Sequence, residues 1–446
     1  MTKRSVAVAF AGVLALSVSA CGGGSSSSDS SKSDTSAASS KSGDAKASGS
    51  AAAGSDVNAK DPKRDANADL VIWADGTAAP VVSKLAKQFA DENDVKVSVQ
   101  VSTDVRGNYG TAFKAGQAPD VIVGAHDWMG ELVSNGSVAP VQIPANVASG
   151  FNKEAIAATK YNNQSYGVPY AVENMALVRN TDMVKDAPKT IDELVSTGQK
   201  VVDEKKATNV LSLEMGKQGD AYHGIPFLTG FGGGIFGTKA NGDYDASKLL
   251  VNSPESLKGA NLLAELGKKK VLSTNVDKTN ADALFADKKA PYIVTGPWSL
   301  PTFDKAGIKY EVSSLPTVAG GGKMTPFLGV QMFYVSSKAK NATVAQTFTT
   351  SFLTTEAAQK ALFEVGKRPP ALTAAYDEVI KSNPDVAKWA EAGKGAKLMP
   401  NIPAMNAVWK PLGLAFADII SGKGGTPAAR MQKAQTEIEA GIKSGS

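Results

Sequence analysis

The sequence predicts an α/β protein with two lobes, and three observations support this fold class. The chain has 446 residues, 42% of them hydrophobic, which is enough to build the cores of two domains. Short apolar runs alternate with amphipathic stretches between residues 70 and 123, and the same alternation resumes between residues 210 and 294. The last third of the chain is mostly helical in its pattern.

The first lobe is predicted from a βαβαβ order. Residues 70–73 form an apolar run that favours a buried strand, and apolar residues at helical spacing follow between 82 and 89. Four valines alternate with polar residues over 95–101, which is typical of a half-buried strand. A helical stretch at 109–115 then leads to a third strand at 120–123. This order favours parallel pairing, with ligands beyond the carboxyl ends of the strands.

Polar and aromatic residues follow two of these strands. Asp75 and Thr77 come after the first strand, and Asp127 and Trp128 come after the third. Because the carboxyl ends of parallel strands meet at one edge of a sheet, we expect these residues at one mouth. Arg106 lies on a loop that is expected at the same mouth.

The second lobe is predicted from a similar alternation. Strands are expected at 210–214 and 290–294, and helices at 257–266 and 281–287. The C-terminal helices are expected at 343–353, 356–364, 371–381, 385–392, 404–420 and 427–442.

Charge and composition exclude several function classes. The formal net charge of +5, from 48 basic and 43 acidic side chains, is too small to indicate a nucleic-acid partner. Two histidines, His126 and His223, and the single Cys21 cannot build a structural zinc site or a disulfide framework. We therefore expect no metal and no cofactor.

The N-terminus is typical of a secretion signal. Lys3 and Arg4 precede an apolar run at 6–18, which is too short to span a bilayer as a stable helix. Small residues then lead to Cys21, as in a bacterial lipobox, so residues 1–20 are predicted to be a cleaved signal peptide and Cys21 the lipidated residue. The alternative is an ordinary signal peptide with an incidental cysteine.

Residues 21–66 are predicted to connect the lipid anchor to the body of the protein. The segment 22–55 consists largely of serine, glycine and alanine, and no side chain in it is an aliphatic or aromatic group larger than alanine. Such a segment cannot bury enough apolar surface to offset its ordering entropy, so we expect a disordered tether. No later stretch has 18 uninterrupted apolar residues, so we do not expect the body to be embedded in the membrane.

Five stretches, in this order and at these separations, resemble the maltose-binding protein family and its Gram-positive lipoprotein relatives. They are Leu70–Trp73; Ala118–Ile122 followed by Ala125–Asp127; Val168–Glu173; Gly296–Trp298; and Met399–Met405 followed by Trp409. Each motif alone is weak, whereas the ordered set covers residues 67–443.

The resemblance implies the type II, two-lobed periplasmic-binding-protein fold, with a hinge and a ligand cleft between the lobes. One lobe would comprise residues 67–171 and 333–378, and the other residues 172–326 and 385–446. It also implies an oligosaccharide ligand and the permease subunits of an ABC transporter as partners. With Cys21 as a membrane anchor, we expect a monomer at the extracellular face of the cytoplasmic membrane.

Sugar hydroxyls favour carboxylate partners, because hydrogen bonds to charged groups are stronger than those between neutral groups. By resemblance, Asp127 and Glu173 occupy positions where the family's carboxylates bind sugar. The alternatives are a helix N-cap for Asp127 and a solvent-exposed hinge acid for Glu173.

Sugar C–H faces favour flat aromatic platforms. By resemblance, Trp298 and Trp409 occupy stacking positions, with core packing as the alternative for each. Asp220 and Tyr222 align less securely with a family loop that brings a carboxylate and an aromatic ring to the sugar.

Some positions depart from the family pattern. Gly124 stands where the family has an extra tryptophan, Trp128 replaces an arginine, and Lys410 and Gly413 replace a tyrosine and an arginine. Trp128 could replace a lost platform or face the core. These departures do not change the expected two-lobed fold, but they leave the identity of the bound sugar undecided.

Four further residues are weaker candidates for the binding site. Thr77, Asp75 and Arg106 lie near an apparent one-residue gap relative to the family, with solvated loop residues as the alternative. Met399 matches a position flanked by proline, although methionine is more often a filler of cores.

The resulting expectation is a non-catalytic binding protein that delivers maltose or maltooligosaccharides to an ABC permease. Another oligosaccharide is the first alternative. A secreted glycosidase, which would need two suitably spaced carboxylates, and an adhesin or structural lipoprotein are the others.

Overall fold

The structure is a computed structural model, and it describes residues 62–445. The expected signal peptide, Cys21 and most of the expected tether lie outside the described residues. The described part nevertheless begins within the expected tether. Arg64 is buried there, and its guanidinium donates to the carbonyl oxygen of Ala118 at 2.8 Å and to the carboxylate of Asp120 at 2.7 Å. The folded body therefore includes residues ahead of the first strand.

The strands of this part of the chain are β1 (Leu70–Ala74), β2 (Val97–Val101), β3 (Val121–Ala125), β4 (Lys160–Tyr161), β5 (Gln164–Ser165), β6 (Gly167–Glu173), β7 (Ala176–Asn180), β8 (Ser212–Leu213), β9 (Phe236–Thr238), β10 (Tyr244–Leu249), β11 (Tyr292–Thr295), β12 (Tyr310–Ser313), β13 (Phe327–Val335) and β14 (Lys397–Leu398).

The α-helices are α1 (Ala79–Asn93), α2 (Val105–Lys114), α3 (Met129–Ser134), α4 (Ala145–Ala148), α5 (Lys153–Ala158), α6 (Ile191–Asp203), α7 (Ala221–Thr229), α8 (Pro254–Lys268), α9 (Ala281–Ala286), α10 (Leu300–Lys305), α11 (Ala342–Thr347), α12 (Glu356–Gly366), α13 (Thr373–Ser382), α14 (Asp385–Ala392), α15 (Trp409–Ser421) and α16 (Pro427–Ser444). None of these helices is both long and apolar enough to cross a bilayer.

The first sheet has the order β14-β13-β3-β1-β2, and β6 pairs with β13 as well. β1 runs parallel to both β2 and β3, which confirms the predicted parallel pairing. β13 runs antiparallel to β3 and to β6. β1 is buried along its whole length because it lies between two strands, whereas the edge strand β2 is half-buried, as its alternating pattern predicts. Helices α1 and α12 contribute to the core on one face of this sheet.

The second sheet has the order β12-β7-β11-β8. β7 runs antiparallel to β11 and β12, and β11 runs parallel to β8. The largest apolar core joins this sheet to helices α6, α7, α8, α15 and α16. Each sheet thus has cores of its own, and the predicted two-lobed α/β fold is confirmed.

The chain passes from one sheet to the other at several points. β6 ends at Glu173 in the first sheet, and β7 begins only three residues later in the second. The chain returns from the second sheet to the first between β12 and β13. The short strand β14 pairs with β13 at the edge of the first sheet, ahead of α15. These crossings place Glu173 at the junction of the two lobes.

Candidate binding site between the two lobes

His126 anchors the end of β3. Its ring lies between two backbone segments: Nδ1 accepts a hydrogen bond from the amide of Val330 at 3.1 Å, and Nε2 donates to the carbonyl oxygen of Met399 at 2.9 Å. Burial lowers the pKa of His126 to about 4, so the ring is neutral and can serve as donor and acceptor at once. The ring fixes the backbone at the position where Asp127 follows.

Asp127 lies in the short 3₁₀ turn His126–Trp128 and is only 4% exposed. Asp127 is not the N-cap of α3. Trp128 occupies that position, and no side chain caps the helix. Burial raises the pKa of Asp127 to about 6, and the charge of Arg106 and the indole of Trp409 oppose this shift. Trp409 is the first residue of α15 and packs against the core of the second lobe. The carboxylate of Asp127, which follows β3 of the first sheet, is therefore in contact with a residue of the second lobe.

Arg106 connects both lobes next to Asp127. Its guanidinium lies 3.4 Å from the carboxylate of Asp127 and donates to Glu131 at 2.7 and 2.9 Å. It also donates to the side-chain oxygen of Asn406 at 3.1 Å, in the turn ahead of α15. The expectation of a loop position for Arg106 is wrong, because Arg106 lies in the first turn of α2. Its guanidinium nevertheless lies beside Asp127 and reaches Asn406, and its role as a ligand stays a prediction.

Glu173 is also 4% exposed and is not a solvent-exposed hinge acid. The guanidinium of Arg368 forms an ion pair with its carboxylate, and the amide of Gln331 donates to it at 2.8 Å. Arg368 lies in the segment after α12 that runs beside β6, where the amide of Val172 donates to the carbonyl oxygen of Pro369 at 3.0 Å. The carboxylate is thus fixed in place from two sides.

Trp298 follows β11 in the turn Pro297–Ser299 and is half-buried. Its ring centroid lies 6.4 Å from that of Tyr222, and the guanidinium carbon of Arg368 lies 5.2 Å from its centroid. Burial and the nearby carboxylate of Glu173 raise the pKa of Tyr222 far above its usual range, and the charge of Asp127 adds to this. Tyr222 therefore lies within electrostatic reach of both carboxylates.

These contacts bring together much of the predicted site. Asp127 and Arg106 come from the first lobe, Glu173 from the junction, and Trp298, Tyr222 and Trp409 from elements of the second lobe. The arrangement offers two buried carboxylates beside three half-buried aromatic rings. Carboxylates bind hydroxyls and aromatic rings cover C–H faces, so the chemistry suits a neutral polyol.

Asp75 and Thr77 belong to the turn between β1 and α1. The carboxylate of Asp75 accepts hydrogen bonds from the amides of Thr77 and Ala78 at 2.9 and 2.8 Å, in the turn ahead of α1. Both Asp75 and Thr77 are exposed. The carboxylate of Glu173 is the main cause of the raised pKa of Arg368, and the carboxylate of Asp75 adds to it. Their role as ligands stays a prediction.

Three other candidates have structural partners of their own. Met399 is buried in the core of the second lobe. Trp128 is half-buried against the core of the first lobe. Asp220 is the N-cap of α7, where it accepts from the amide of His223 at 2.8 Å. Whether any of them touches a ligand stays a prediction.

Sequence reasoning missed Arg368 and Gln331. Neither belongs to a motif of the five matching stretches, and Gln331 lies in β13, which periodicity did not reveal because it is almost continuously buried. The local signal for Arg368 in the sequence is the pair of prolines that follows it. That pattern indicates a turn and not a binding role.

Known solute-binding proteins are similar to this chain. The model of the family described as bacterial extracellular solute-binding protein matches residues 84–392. The galactooligosaccharide-binding protein of Bacillus subtilis is 29% identical over 83% of this chain and 88% of its own length. The maltotriose-binding protein of Pyrococcus abyssi is 28% identical over 83% of this chain and 81% of its own length.

A third relative carries the lipoprotein description. It is the maltooligosaccharide ABC transporter solute-binding lipoprotein of Streptococcus pneumoniae, 27% identical over 80% of this chain and 84% of its own length. The family match spans more than half of the chain and includes Asp127, Glu173 and Trp298. The chain therefore belongs to the family of bacterial extracellular solute-binding proteins.

Proposed function

We propose that the protein binds an oligosaccharide outside the cell and delivers it to an ABC permease. The observation that carries the proposal is the meeting of Asp127 and Glu173 with Tyr222, Trp298 and Trp409 between the two sheets. Buried carboxylates and aromatic platforms are the two kinds of contact that a neutral sugar needs. Relatives named for oligosaccharide binding support the same ligand class.

Maltooligosaccharides are the proposed first choice of ligand. Relatives named for maltotriose and for maltooligosaccharides support this choice, and a relative named for galactooligosaccharides makes that class the alternative. The protein with Cys21→Ala should be titrated with maltotriose and with a β-linked galactotriose by calorimetry. Saturable one-to-one binding of maltotriose supports the proposal. Selective binding of the galactotriose would make galactooligosaccharides the ligand class and would leave the proposed role in transport unchanged.

The protein is proposed to bind and not to cleave its ligand. Both carboxylates are held by arginines, Asp127 by Arg106 and Glu173 by Arg368. The titration mixture should be sampled over a day and its sugars separated by chromatography. Recovery of intact maltotriose is expected, and the appearance of glucose and maltose would favour a glycosidase.

The ligand is proposed to close the lobes about the chain crossings near Glu173. Small-angle scattering with and without saturating maltotriose measures this motion as a change in the radius of gyration. A smaller radius with ligand supports closure, and an unchanged radius contradicts it. The same scattering data give the mass in solution, for which a monomer is expected.

Lipidation of Cys21 is proposed to hold the protein at the outer face of the cytoplasmic membrane. Wild type should partition into the detergent phase, and Cys21→Ala should be released into the medium with its sugar binding intact. A Cys21→Ala protein that still partitions with detergent would contradict the anchor.

A further inference from the structure

Arg368 lies among the residues that are proposed to bind sugar. It forms an ion pair with Glu173, and its guanidinium carbon lies 5.2 Å from the ring centroid of Trp298. It is also within electrostatic reach of Asp75 and Tyr222. Trp298 follows a strand of the second sheet, whereas Arg368 precedes a segment that runs beside the first sheet. One side chain therefore contacts a carboxylate and an aromatic ring of the proposed site.

The backbone next to Arg368 is fixed by its pairing with β6. The amide of Val172 donates to the carbonyl oxygen of Pro369 at 3.0 Å, and the amide of Ala371 donates to the carbonyl oxygen of Tyr170 at 3.0 Å. The ring of the proline that follows Arg368 also restricts the backbone. Because the position is fixed before a ligand arrives, little conformational entropy is lost when this side chain binds one.

The guanidinium of Arg368 uses only part of its hydrogen-bonding capacity. A guanidinium carries several N–H donors in a planar fork. Within residues 62–445 its only hydrogen bond is donated by Nη1 to Oε2 of Glu173. Nε and Nη2 thus have no partner in this part of the chain, and neither is among its buried unpaired atoms, so both are open to solvent. These two nitrogens are donors that a ligand can use.

The carboxylate of Glu173 keeps acceptor capacity beside those donors. Its Oε2 accepts from Arg368 and its Oε1 accepts from the amide of Gln331 at 2.8 Å. Among the described residues it accepts no other hydrogen bond, and each carboxylate oxygen has a further lone pair. Donors and acceptors therefore lie side by side, which matches hydroxyl groups because a hydroxyl can both donate and accept.

We propose that Arg368 binds the sugar directly and that, with Glu173, it recognises two adjacent hydroxyl groups of one sugar ring. One hydroxyl accepts from Nε or Nη2 of Arg368, and its neighbour donates to the carboxylate of Glu173. Both hydrogen bonds involve a charged group and are therefore stronger than bonds between neutral groups. The inference rests on the proposed function and adds the feature that the site selects, which is a sugar ring with two neighbouring free hydroxyls.

The test uses calorimetry on the full chain with Cys21→Ala, titrated with maltotriose, or with the β-linked galactotriose where the parent selects that sugar. Arg368→Met keeps an unbranched side chain but removes the donors. It should weaken binding at least about tenfold, because a hydrogen bond to a charged group is lost. Unchanged binding would overturn the proposal. Tighter binding would overturn it as well, since the guanidinium would then compete with the sugar for the ring of Trp298.

Lys367→Met is the matched control, because it removes a positive charge from the same segment. The ammonium nitrogen of Lys367 lies 3.7 Å from the carboxylate of Glu364 and 5.2 Å from the ring centroid of Phe363, so it has partners outside the proposed site. This variant should bind the sugar like the parent. Equal losses of affinity in Lys367→Met and Arg368→Met would contradict a specific role of Arg368.

Singly deoxygenated forms of the same trisaccharide separate direct contact from positioning of Glu173. The parent should bind at least about tenfold more weakly to two forms that lack neighbouring hydroxyls, because each leaves a polar group of the site unpaired. Arg368→Met should show no further loss for the form that lacks the hydroxyl bound by Arg368. If both losses persist in Arg368→Met, the arginine does not touch the sugar and the proposal is wrong.

Should Arg368→Met fail to fold, as judged by circular dichroism, Arg368→Lys takes its place, since lysine keeps the charge but not the planar fork. Weaker binding and a smaller loss for that deoxygenated form are expected, and parent-like values of both would overturn the proposal. A parent protein that binds no sugar contradicts the proposed function and this inference with it. A parent and an Arg368→Met variant that bind equally well contradict only the role of Arg368.

Discussion

Trp128 follows β3 in the first lobe, and Trp298 follows β11 in the second. In both places a strand runs into a 3₁₀ turn and a short helix, and the tryptophan ring lies directly against a glycine near the strand end. A Cβ atom at Gly124 would lie 2.0 Å from the ring of Trp128, and one at Gly296 would lie 2.0 Å from the ring of Trp298. The local structure is therefore the same in both lobes.

The chemistry differs between these two strand ends. Asp127 precedes Trp128, whereas Pro297 precedes Trp298. Each tryptophan packs against the core of its own lobe. Trp298 also faces Tyr222 and the guanidinium of Arg368. One strand end thus has a buried carboxylate beside its tryptophan, and at the other end the tryptophan meets an aromatic ring and a guanidinium. The neighbours differ although the local backbone is the same, and the proposed stacking role of Trp298 rests on those neighbours.

The largest expected effect comes from truncating the two tryptophans. Trp298→Ala should weaken sugar binding by about 5- to 150-fold, by analogy with the roughly 1–3 kcal/mol of an aromatic stacking contact. Trp128→Ala should instead lower the free energy of unfolding, because its ring packs on a core. Calorimetry and chemical denaturation on both variants measure the two quantities. A stability loss without an affinity loss for Trp298→Ala would make it a core residue.

The glycines under the rings give the next largest effect. Gly296→Ala forces the ring of Trp298 to move, and overpacking of this kind costs about 1–3 kcal/mol. We expect that cost mainly in sugar affinity for Gly296→Ala and mainly in the unfolding midpoint for Gly124→Ala. Calorimetry measures the affinity and chemical denaturation measures the unfolding midpoint. Equal changes of affinity in both variants would contradict the expected difference between the two strand ends.

Asp127 should make stability depend on pH. Its pKa rises from 3.8 to about 6 on folding, so the folded state holds the proton more tightly. This contribution to stability is fully present below about pH 4 and is lost as the pH rises through 6. The free energy of unfolding of wild type relative to Asp127→Asn should therefore fall by about 2–3 kcal/mol from pH 4 to pH 7. Urea denaturation at both values checks this, and a rise would contradict it.

Asp75 is expected to have the smallest effect. It is the exposed carboxylate at the end of β1 and accepts two backbone amides at the start of α1. Asp75→Ala should cost about 1 kcal/mol of stability, because two exposed hydrogen bonds of the turn ahead of α1 are lost, and it should change sugar affinity less than Trp298→Ala does. Asp75→Asn, which keeps the acceptor oxygen, is the control for denaturation. A larger loss of affinity than of stability would make Asp75 a ligand.

Much of the architecture follows from the sequence by itself. The apolar run at β1, the alternation at β2 and the order of helices predict the first sheet, because periodicity and strand order are local properties. The ordered motifs around Asp127, Glu173 and Trp298 predict the family, and the matching family model confirms it. The tryptophan-bearing strand ends were also recognisable, since each motif lies within a few consecutive residues.

Only the tertiary structure decided the partners in the cleft. Arg368 meets Glu173 across 195 positions of the chain, and Arg106 meets Asn406 across 300. Such pairs depend on where the two sheets place their ends, and no local pattern carries that information. The same holds for β13, whose continuous burial between two strands removes the alternation that reveals a half-exposed strand. Charge compensation inside the cleft is therefore a property of the folded chain, because burial makes each carboxylate depend on a distant partner.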